Sequence, residues 1–518
     1  MKDIIIGIDA GTSVIKSVAF SLEGEQLAEC STPNVYTTMG NGGVEQDPHL
    51  TWQKTIETLI GLSQKLPDIA SRCAAMAVTG QGDGTWLIDK NRQPVGGGLL
   101  WLDARAGELV DTWRASEQEK RRFEITGTGY AACQQAAQLV WMKQHDPTRL
   151  AQADKAFHCK DWLYLNLTDE CYTDTSEGCF TFGDFRTRQY SDEVLNMLGL
   201  QEHASLLPPM LNGVQEHHAL TASAAKATGL LAGTPVVMGF LDVICTGLGA
   251  GLYDRDEAVG CTIVGSTGIH MRLVQSAEDV ELNEHGTGFT MALPVDDMFV
   301  QVQSNMSCTL NIDWLLDVAM DLFASQGVTV TIAELLFRID DWVDATNKPG
   351  QILYQPYISD AGERGPFIST SARAGFVGLN STHRFGDMMS AVVQSLALAS
   401  RDCYSAMGGA PAQIRLTGGA ARSKALRRVF ANTLGAQLRT CSREEAGAAG
   451  AAMMASLSIG HYTSMNDCVQ QWVTPLLSNL EDFDATQNAM MDDVFTTYQS
   501  TRQALTDVWK SQAQLRQL

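Results

Sequence analysis

Two aspartates each follow an apolar run of the kind that forms a buried strand. Asp9 ends the run IIIGI that starts at residue 4, and Asp242 ends the segment TPVVMGFLD. A carboxylate at the tip of a buried strand is unfavourable unless a positive group or a hydrogen-bond donor meets it. Asp9 is followed by Gly11, Thr12 and Ser13, which allow a tight turn and supply amide and hydroxyl donors. The turn suits a polyphosphate whose magnesium ion Asp9 holds, and the alternative is that Asp9 caps its own turn.

The second aspartate, Asp242, precedes the small-residue segment VICTGLGAG. That segment favours a helix whose positive N-terminus faces the carboxylate, and an aspartate in this place can simply cap the helix. The other interpretation is a general base, which must be ionised at neutral pH and within hydrogen-bond reach of a hydroxyl group. Phosphoryl transfer depends mainly on positioning and on neutralising charge. In that case Asp9 would bind the metal ion and Asp242 would accept the proton of the hydroxyl group.

The elements around these residues repeat within the chain. The strand–turn–strand pattern of residues 4–20 recurs at 258–274, AVGCTIVGSTGIHMRLV, with Gly265, Ser266 and Thr267 at the turn. Two halves that each begin in this way predict a duplicated fold with one phosphate-binding turn per half.

Strand and helix patterns alternate along the chain, which favours an α/β architecture. Helices are predicted at 50–66 and 386–407, and a further helix beyond residue 470 is expected to pack on the second half. The Ala/Gly-rich stretch 446–460 is too short and too weakly hydrophobic to span a bilayer. Its small residues predict a helix packed closely against other backbone.

A third glycine-rich segment, IRLTGGAARSKALRRVFANTLG at 414–435, predicts a strand, a turn at Gly418 and Gly419, and a helix. A glycine pair at a helix start lets the backbone approach a ligand closely. The segment has neither the GKS or GKT of a P-loop nor the GxGxxG spacing of a dinucleotide-binding turn. On these residues alone it is an ordinary strand-to-helix turn.

The composition excludes several classes of function. With 518 residues, 45% of them hydrophobic and 19% charged, the chain is globular and long enough for two or more domains. A net charge of −22 argues against nucleic acid and anionic membranes as partners, although a small polyanion can bind local donors. The twelve cysteines form no CxxC pair and no Cys/His cluster. Without a secretory leader, this predicts reduced thiols in the cytoplasm.

Taken together, the motifs resemble the FGGY family of carbohydrate kinases over essentially the whole chain. The segments that carry the resemblance, in the family's order, are GIDAGTSVIKSVAF, GGVEQDPHLTW, VTGQGDGTWLID with LLWLDARA, YISDAGERGPF, AGFVGLNSTHRFGDMMSAVVQ and TGGAARSKALRRVFANTLG. The resemblance implies two actin-like (ribonuclease H-like) α/β domains with a ligand cleft between them. Residues 1–252 would bind the polyol or sugar and residues 253–518 the nucleotide. It also implies an ATP-dependent phosphotransferase that uses Mg²⁺ and an alcohol acceptor.

The family pattern also implies roles for individual residues. Asp242 would be the catalytic base and Asp9 a magnesium ligand. The implied phosphate and nucleotide contacts are Gly11, Thr12, Ser13, Gly265, Ser266, Thr267, Gly418, Gly419, Ala420, Arg422 and Asn432. Ser266 stands where the family usually has threonine, so a hydroxyl is kept. The implied polyol contacts are Gln81, Asp83, Trp101, Asp103 and Asp242.

The segment TGQGDG places the chain near the branch of erythritol kinases and L-xylulose kinases. Gly82 and Asp83 replace the Arg-Glu of glycerol kinases and the Met-His of D-xylulose kinases, and GFLDV surrounds the base. The resemblance implies phosphorylation of a terminal hydroxyl of a small acyclic polyol, with erythritol favoured. L-Xylulose or another pentulose is the alternative, and a nucleotide-dependent actin-like switch without a small-molecule acceptor is the remote one.

Within such a pocket, Asp83 and Asp103 would accept hydrogen bonds from hydroxyl groups, and unpaired acceptors would reject a deoxy analogue. Trp101 would cover the carbon chain, although plain core packing of the tryptophans at 86 and 101 is the alternative. For Arg105, the alternative to a role in this pocket is that it only forms an ion pair with Asp103. The expected partner is a small polyol or sugar, and a second copy of the chain, forming a homodimer, is the other partner considered.

Overall fold

A computed structural model of the chain describes residues 2–345 and 349–516. It contains two six-stranded sheets, one in each half of the chain. In spatial order the first sheet consists of His218–Ala219, Pro235–Met238, Cys73–Gly80, Ile4–Ala10, Val14–Ser21 and Gln26–Pro33. The second consists of Gln437–Thr440, Gln413–Thr417, Val259–Val264, Gly268–Val274, Phe299–Asn305 and Phe289–Ala292.

The central strands of the two sheets are connected in the same way. Ile4–Ala10 pairs antiparallel with Val14–Ser21 across a short turn and parallel with Cys73–Gly80. Val259–Val264 likewise pairs antiparallel with the strand after its turn and parallel with Gln413–Thr417. The isoleucines and valines of both central strands are mostly buried, as expected of strands covered on both faces. The predicted duplication is confirmed, and the two turns lie at equivalent places.

Helices cover both sheets. Those of the first half are Pro48–Lys65, Ile69–Arg72, Gly107–Arg114, Gln118–Thr126, Gln135–His145, Pro147–Gln152, Cys159–Thr168, Thr175–Phe182, Asp192–Met197, Ala222–Thr228 and Asp242–Ala250. Those of the second half are Leu310–Ser325, Ile332–Leu336, Ile339–Ala345, Phe385–Ser405, Lys424–Leu434, Ala446–Ser458, Met465–Trp472 and Ala485–Leu515. Among the described residues, none of these helices has both the length and the apolar character needed to cross a bilayer.

Short strands form the remaining pairs. They are Thr37–Thr38, Val44–Gln46 and Gly98–Leu99 in one sheet, Trp86–Ile88 with Lys155–Phe157, Thr173–Asp174 with Met210–Leu211, Gly183–Asp184 with Gln189–Tyr190, and Leu353–Gln355 with Gly375–Val377.

The helices predicted from periodicity are confirmed. Pro48–Lys65 begins at Asp47, whose side chain accepts hydrogen bonds from two backbone N–H groups of the first turn. Phe385–Ser405 buries its apolar stripe in the core of the second half. The helix near the chain end, Ala485–Leu515, packs through Tyr498 and its neighbours on the second half.

Two small-residue helices lie side by side between the sheets. They are Asp242–Ala250 and Ala446–Ser458, and one apolar core joins them to residues of both sheets. A Cβ atom on Gly7 would overlap the backbone of Ala448, and one on Gly249 would overlap the same helix. Only glycine permits such close backbone contact. The prediction for the Ala/Gly-rich stretch is therefore confirmed, and this helix from late in the chain covers the first sheet.

Candidate active site

Asp9 lies half-buried at the carboxyl end of the strand Ile4–Ala10. Across the strand pair it faces Lys16, but Lys16 Nζ lies 2.8 Å from Glu445 Oε1 and pairs with that carboxylate instead. Burial raises the pKa of Asp9 to about 6, while the charge of Lys16 lowers it and that of Glu445 raises it. Among the described residues, no side chain forms an ion pair with Asp9. In the part of the chain that the structure describes, the carboxylate is therefore not paired directly with a cation.

The surroundings of Asp9 fit a magnesium ion. Mg²⁺ is usually held by one or two carboxylates together with waters and substrate phosphates, rather than by an all-protein cage. Within residues 2–345 and 349–516, no group of three or more histidine, cysteine, aspartate or glutamate side chains is arranged to hold a metal. A magnesium ion here would depend on Asp9 and on the phosphates of a bound nucleotide. The partly buried carboxylate without a partner cation suits that arrangement.

Asp242 is the first residue of the helix Asp242–Ala250, and the N-cap is Leu241. The capping interpretation of Asp242 is therefore not supported. Burial, together with the negative charges of Asp9 and Asp83, raises the pKa of Asp242 to about 8, against a backbone N–H and a lysine that lower it. The fold thus brings together three carboxylates that lie far apart in the sequence.

Removing the charge of Asp9 should change the titration of Asp242. We expect Asp9→Asn to lower the pKa of Asp242 below its wild-type value of about 8, because a neighbouring negative charge opposes ionisation. The measurement is a carboxyl ¹³C NMR titration of the unliganded protein, and Asp507→Asn, an exposed aspartate far along the chain, is the control. An unchanged or higher pKa in Asp9→Asn would show that the two carboxylates do not interact.

The first turn directs its two hydroxyl groups to different places. Thr12 Oγ1 donates to Gln81 Oε1 at 2.8 Å and accepts from Trp101 Nε1 at 2.7 Å. Its proton is therefore already used and is not available to a phosphate. Ser13 is exposed, and its hydroxyl has no hydrogen bond within the part of the chain that the structure describes. Of the predicted contacts in this turn, Ser13 and the backbone beside Gly11 are the ones left open to a ligand.

The second turn is hydrogen-bonded to Cys308 and Thr309, the two residues that precede the helix Leu310–Ser325. The carbonyl of Gly265 accepts from Thr309 N at 2.9 Å and from Thr309 Oγ1 at 3.0 Å. The carbonyl of Ser266 accepts from Cys308 N at 2.7 Å. Ser266 itself is exposed and Thr267 is half-buried. Within the described residues the hydroxyl groups of Ser266 and Thr267 form no hydrogen bond, so they are available to a ligand.

A cavity of about 710 Å³ opens beside the second turn. Its polar and small lining residues include Gly265, Asp313, Asp340, Gly419, Ala420, Arg422 and Ser423. Its apolar lining includes Ile312, Leu336, Phe337 and Ile339. Phe337 is 85% exposed at this site. A concave, mostly apolar space next to a donor-rich turn suits a nucleoside whose phosphates extend toward the turn.

Two predicted nucleotide contacts lie outside this cavity. Gly418 has a φ of 95° and packs against the backbone of Val264, so that it shapes the turn instead of lining the cavity. Asn432 Oδ1 accepts from Asp484 N at 2.8 Å and lies in a separate groove. Asp484 is the N-cap of the helix Ala485–Leu515. Asn432 therefore anchors that helix, and its predicted contact with the nucleotide is not supported.

Comparison with known protein families accounts for most of the chain. The model of the N-terminal domain of the FGGY family of carbohydrate kinases matches residues 4–249, and the model of its C-terminal domain matches residues 260–459. The chain belongs to this family. The resemblance seen in the motifs is confirmed, and the protein is a carbohydrate kinase.

Individual FGGY kinases are similar to this one. Erythritol kinase of Brucella abortus (strain 2308) is 52% identical over 507 residues, which cover 98% of this chain and 97% of that protein. The L-xylulose/3-keto-L-gulonate kinase of Escherichia coli (strain K12) is 24% identical over 494 residues and 93% of each chain. The crystal structure of gluconate kinase from Lactobacillus acidophilus matches with a TM-score of 0.88 at 20% identity, covering 98% of this chain and 99% of that one. At that identity, the structure supports the fold alone.

In this FGGY kinase, the strand Cys73–Gly80 leads Gln81 and Asp83 to the sheet edge where the first turn lies. Gln81 is buried, and its Nε2 donates to Gln46 Oε1 at 2.7 Å. Asp83 has a φ of 56°, which is uncommon for a residue other than glycine. Its backbone N–H donates to Glu177 Oε1 at 3.2 Å, while its buried Oδ1 has no hydrogen-bond partner among the described residues. An unpaired buried acceptor at a sheet edge is available to a ligand.

The predicted polyol contact of Asp103 is not supported by the FGGY kinase structure. Asp103 is 2% exposed, its Oδ2 accepts from Val44 N at 2.9 Å and from Arg105 Nη2 at 2.7 Å, and its Oδ1 accepts from Arg105 N at 3.1 Å. The predicted pairing of Arg105 with Asp103 is confirmed, but Arg105 does not pair with Asp103 alone, because its Nη2 also donates to Glu45 Oε1 at 2.8 Å. Trp86 is 2% exposed and packs in the core, whereas Trp101 is half-buried beside the first turn.

A buried ionic cluster behind Asp83 was not predicted from the sequence. Lys160 Nζ lies 2.6 Å from both Asp161 Oδ1 and Asp174 Oδ2, and His158 Nε2 lies 3.3 Å from Glu177 Oε2. All five side chains are almost completely buried. Burial raises the pKa of Glu177 to about 8. The only sequence signal is the Lys-Asp pair inside the otherwise apolar helix CKDWLYLNLT.

Proposed function

We propose that this kinase transfers the terminal phosphoryl group of ATP to a terminal hydroxyl group of erythritol. The observation that carries the proposal is the convergence of Asp242, Asp9 and Asp83 near one sheet edge. A tetritol offers only hydroxyl groups, and this edge offers acceptors for them. The 52% identity to a protein named erythritol kinase, over nearly the full length of both chains, supports the same substrate.

In the proposed reaction, Asp242 accepts the proton of the attacking hydroxyl as the new oxygen–phosphorus bond forms. The bond between the terminal phosphorus and its bridging oxygen breaks, and ADP leaves. Because the pKa of Asp242 is about 8, its carboxylate is a strong proton acceptor, and the ionised fraction that can perform this step increases from neutral to alkaline pH. When bound, Mg²⁺ neutralises negative charge on the phosphates. Asp9 would hold that ion through its unpaired carboxylate.

The remaining residues would position the two substrates. The nucleoside would occupy the 710 Å³ cavity against Gly419, Ala420 and Arg422, with its phosphates reaching both turns. The proposed phosphate contacts are Gly11, Ser13, Gly265, Ser266 and Thr267. On the polyol side, Gln81 and Asp83 would accept hydrogen bonds, and Trp101 would lie along the carbon chain. Thr12 would support this pocket through its hydrogen bonds to Gln81 and Trp101.

A substrate screen tests the proposal. We expect erythritol to have the highest kcat/KM in a coupled ADP-release assay across tetritols, pentitols and ketopentoses. The reason is that a pocket built to pair hydroxyl groups rejects substrates that leave its buried acceptors unpaired. A clear preference for ketopentoses would replace erythritol with a pentulose such as L-xylulose. A rate of ADP release that no polyol or sugar changes would overturn the kinase proposal.

A further inference from the structure

Exposed apolar side chains gather on one helix of the second half and on the segment that follows it. On the helix Leu310–Ser325 they recur at every fourth position, so that they form one row along its surface. The row consists of Leu310, Trp314, Val318 and Leu322, and beyond it the exposed residues Phe323, Val328 and Ile332 continue the same surface. We call these side chains the apolar face.

The apolar face is a preformed surface. The ring of Trp314 stacks on that of Tyr354, with the ring centroids 6.5 Å apart, and Tyr354 is itself buried in the core. The backbone N–H of Val328 donates to the carbonyl of Phe323 at 3.0 Å, which folds the following segment back onto the end of the helix. The short helix Ile332–Leu336 then contacts the helix Leu310–Ser325. The exposed side chains are therefore held on one framework.

The apolar face is separate from the nucleoside cavity. Ile312 and Asp313 of the same helix line that cavity, whereas the row from Leu310 to Leu322 does not. With 3.6 residues per turn, Ile312 projects from a different side of the helix than Val318 does. A molecule bound to the apolar face would therefore leave the cavity open, and substitutions in the row would not touch the nucleotide.

The size of the apolar face matches one side of a dimer interface. At about 150–250 Å² for each large apolar residue, its exposed fractions amount to on the order of 600 Å². The largest apolar patch on a typical monomer is about 300–600 Å². A standard interface buries about 800 Å² per partner, and a homodimer interface is about 65% apolar, so that each copy supplies about 500 Å² of apolar surface. The apolar face provides this area.

The character of the apolar face favours a second copy of the chain over a different protein. Interfaces of transient complexes are about as apolar as the rest of the surface, whereas homodimer interfaces are more apolar. In a two-fold contact each copy uses the same face. The exposed carboxylates Asp317 and Asp321 lie on the same helix, and Arg338 follows the short helix. Such a contact allows Arg338 of one copy to face these carboxylates of the other, twice.

We propose that the apolar face is the interface of a two-fold symmetric homodimer. The row of one copy would pack against the same row of the other, with Trp314 as an aromatic anchor on both sides. The inference goes beyond the proposed function and holds whichever alcohol is phosphorylated.

Sedimentation velocity of the full-length protein at micromolar concentration tests the proposal. In 0.15 M NaCl, the long-range repulsion between two copies of net charge −22 is largely screened. We expect the wild type to sediment as a dimer. Val318→Glu and Leu322→Glu should each weaken the dimer about 100-fold or more and sediment as single chains, because each buries an unpaired charge in an apolar contact. Both side chains are exposed in the single chain, so the far-UV circular dichroism should not change.

Two further variants are the controls. Leu322→Met keeps an apolar side chain and should remain a dimer. Leu231→Glu changes a leucine of the first half that is 50% exposed, and it should also remain a dimer. A wild-type protein that sediments as a single chain would overturn the proposal and assign the apolar face to a different protein. A dimer that survives both Val318→Glu and Leu322→Glu would overturn it as well, because the contact would then lie elsewhere. Absence of turnover with every alcohol would overturn the proposed function but not the dimer.

Discussion

Asp242→Asn is expected to lower kcat for polyol phosphorylation by about 10³-fold, because a positioned general base typically contributes about 10²–10⁴-fold. Asparagine keeps the size of the side chain but cannot accept the proton. Asp242 lies at the start of a helix and does not line the nucleoside cavity, so ATP affinity should stay within about twofold. The measurements are coupled ADP release for kcat and calorimetric titration for ATP binding.

The pH dependence gives the same experiment a second readout. In the wild type, kcat/KM should rise with pH as Asp242 loses its proton, with the rise centred near the pKa of about 8 in the free enzyme. This rise should be absent from Asp242→Asn. Asp507→Asn, whose side chain is 95% exposed, should keep both the rate and the pH profile. A kcat for Asp242→Asn within tenfold of the wild-type value would rule out the assigned role.

Of the substitutions considered, Lys160→Met should produce the largest decrease in the free energy of unfolding. Lys160 Nζ is the shared partner of Asp161 and Asp174, and all three side chains are buried. Methionine fills similar space but removes the shared cation, so that Asp174 loses its ion pair and Asp161 keeps only the contact with His158. Breaking a buried ion pair in this way costs about 3–5 kcal/mol, which urea denaturation monitored by fluorescence would measure at pH 7.5.

The loss of folding stability caused by Lys160→Met should be smaller at lower pH. In the variant, the uncompensated carboxyl groups gain a higher pKa in the folded state than in the unfolded state, so folding takes up protons and becomes more favourable at low pH. We therefore expect a smaller loss at pH 5.5 than at pH 7.5. Lys54→Met, which breaks the surface pair with Glu57, should cost no more than about 1 kcal/mol at either pH. An equal loss for Lys160→Met at both pH values would indicate a packing effect alone.

The elements that position the site were predictable because their signals are local. The isoleucine run before Asp9 and its counterpart before Gly265 predict the paired strands and turns, since a strand covered on both faces is apolar throughout. The stripe of Phe385–Ser405 predicts its helix, and the small residues of Ala446–Ser458 predict close packing. Each conclusion needed only neighbouring residues.

The use of individual polar groups was less predictable, because it depends on partners that are distant in the sequence. Thr12 carries the hydroxyl expected at a phosphate-binding turn, but its proton goes to Gln81. Asn432 lies in a glycine-rich segment near the nucleoside cavity, yet its side chain forms a hydrogen bond with the start of the helix Ala485–Leu515. Lys160 appears in the sequence as part of a Lys-Asp pair on an otherwise apolar helix, and only the fold reveals its second carboxylate partner, Asp174.

The position of Ala446–Ser458 in the chain has a consequence for biosynthesis. This helix covers the face of Ile4–Ala10 and Cys73–Gly80, yet a ribosome makes it after more than four hundred other residues. On the amino-terminal sheet, Ile5 and Ala75 therefore stay without the cover of this helix until translation is nearly complete. Nascent chains of this kind expose an aggregation-prone surface for most of their synthesis. Slow translation without chaperones should therefore lower the yield of native enzyme.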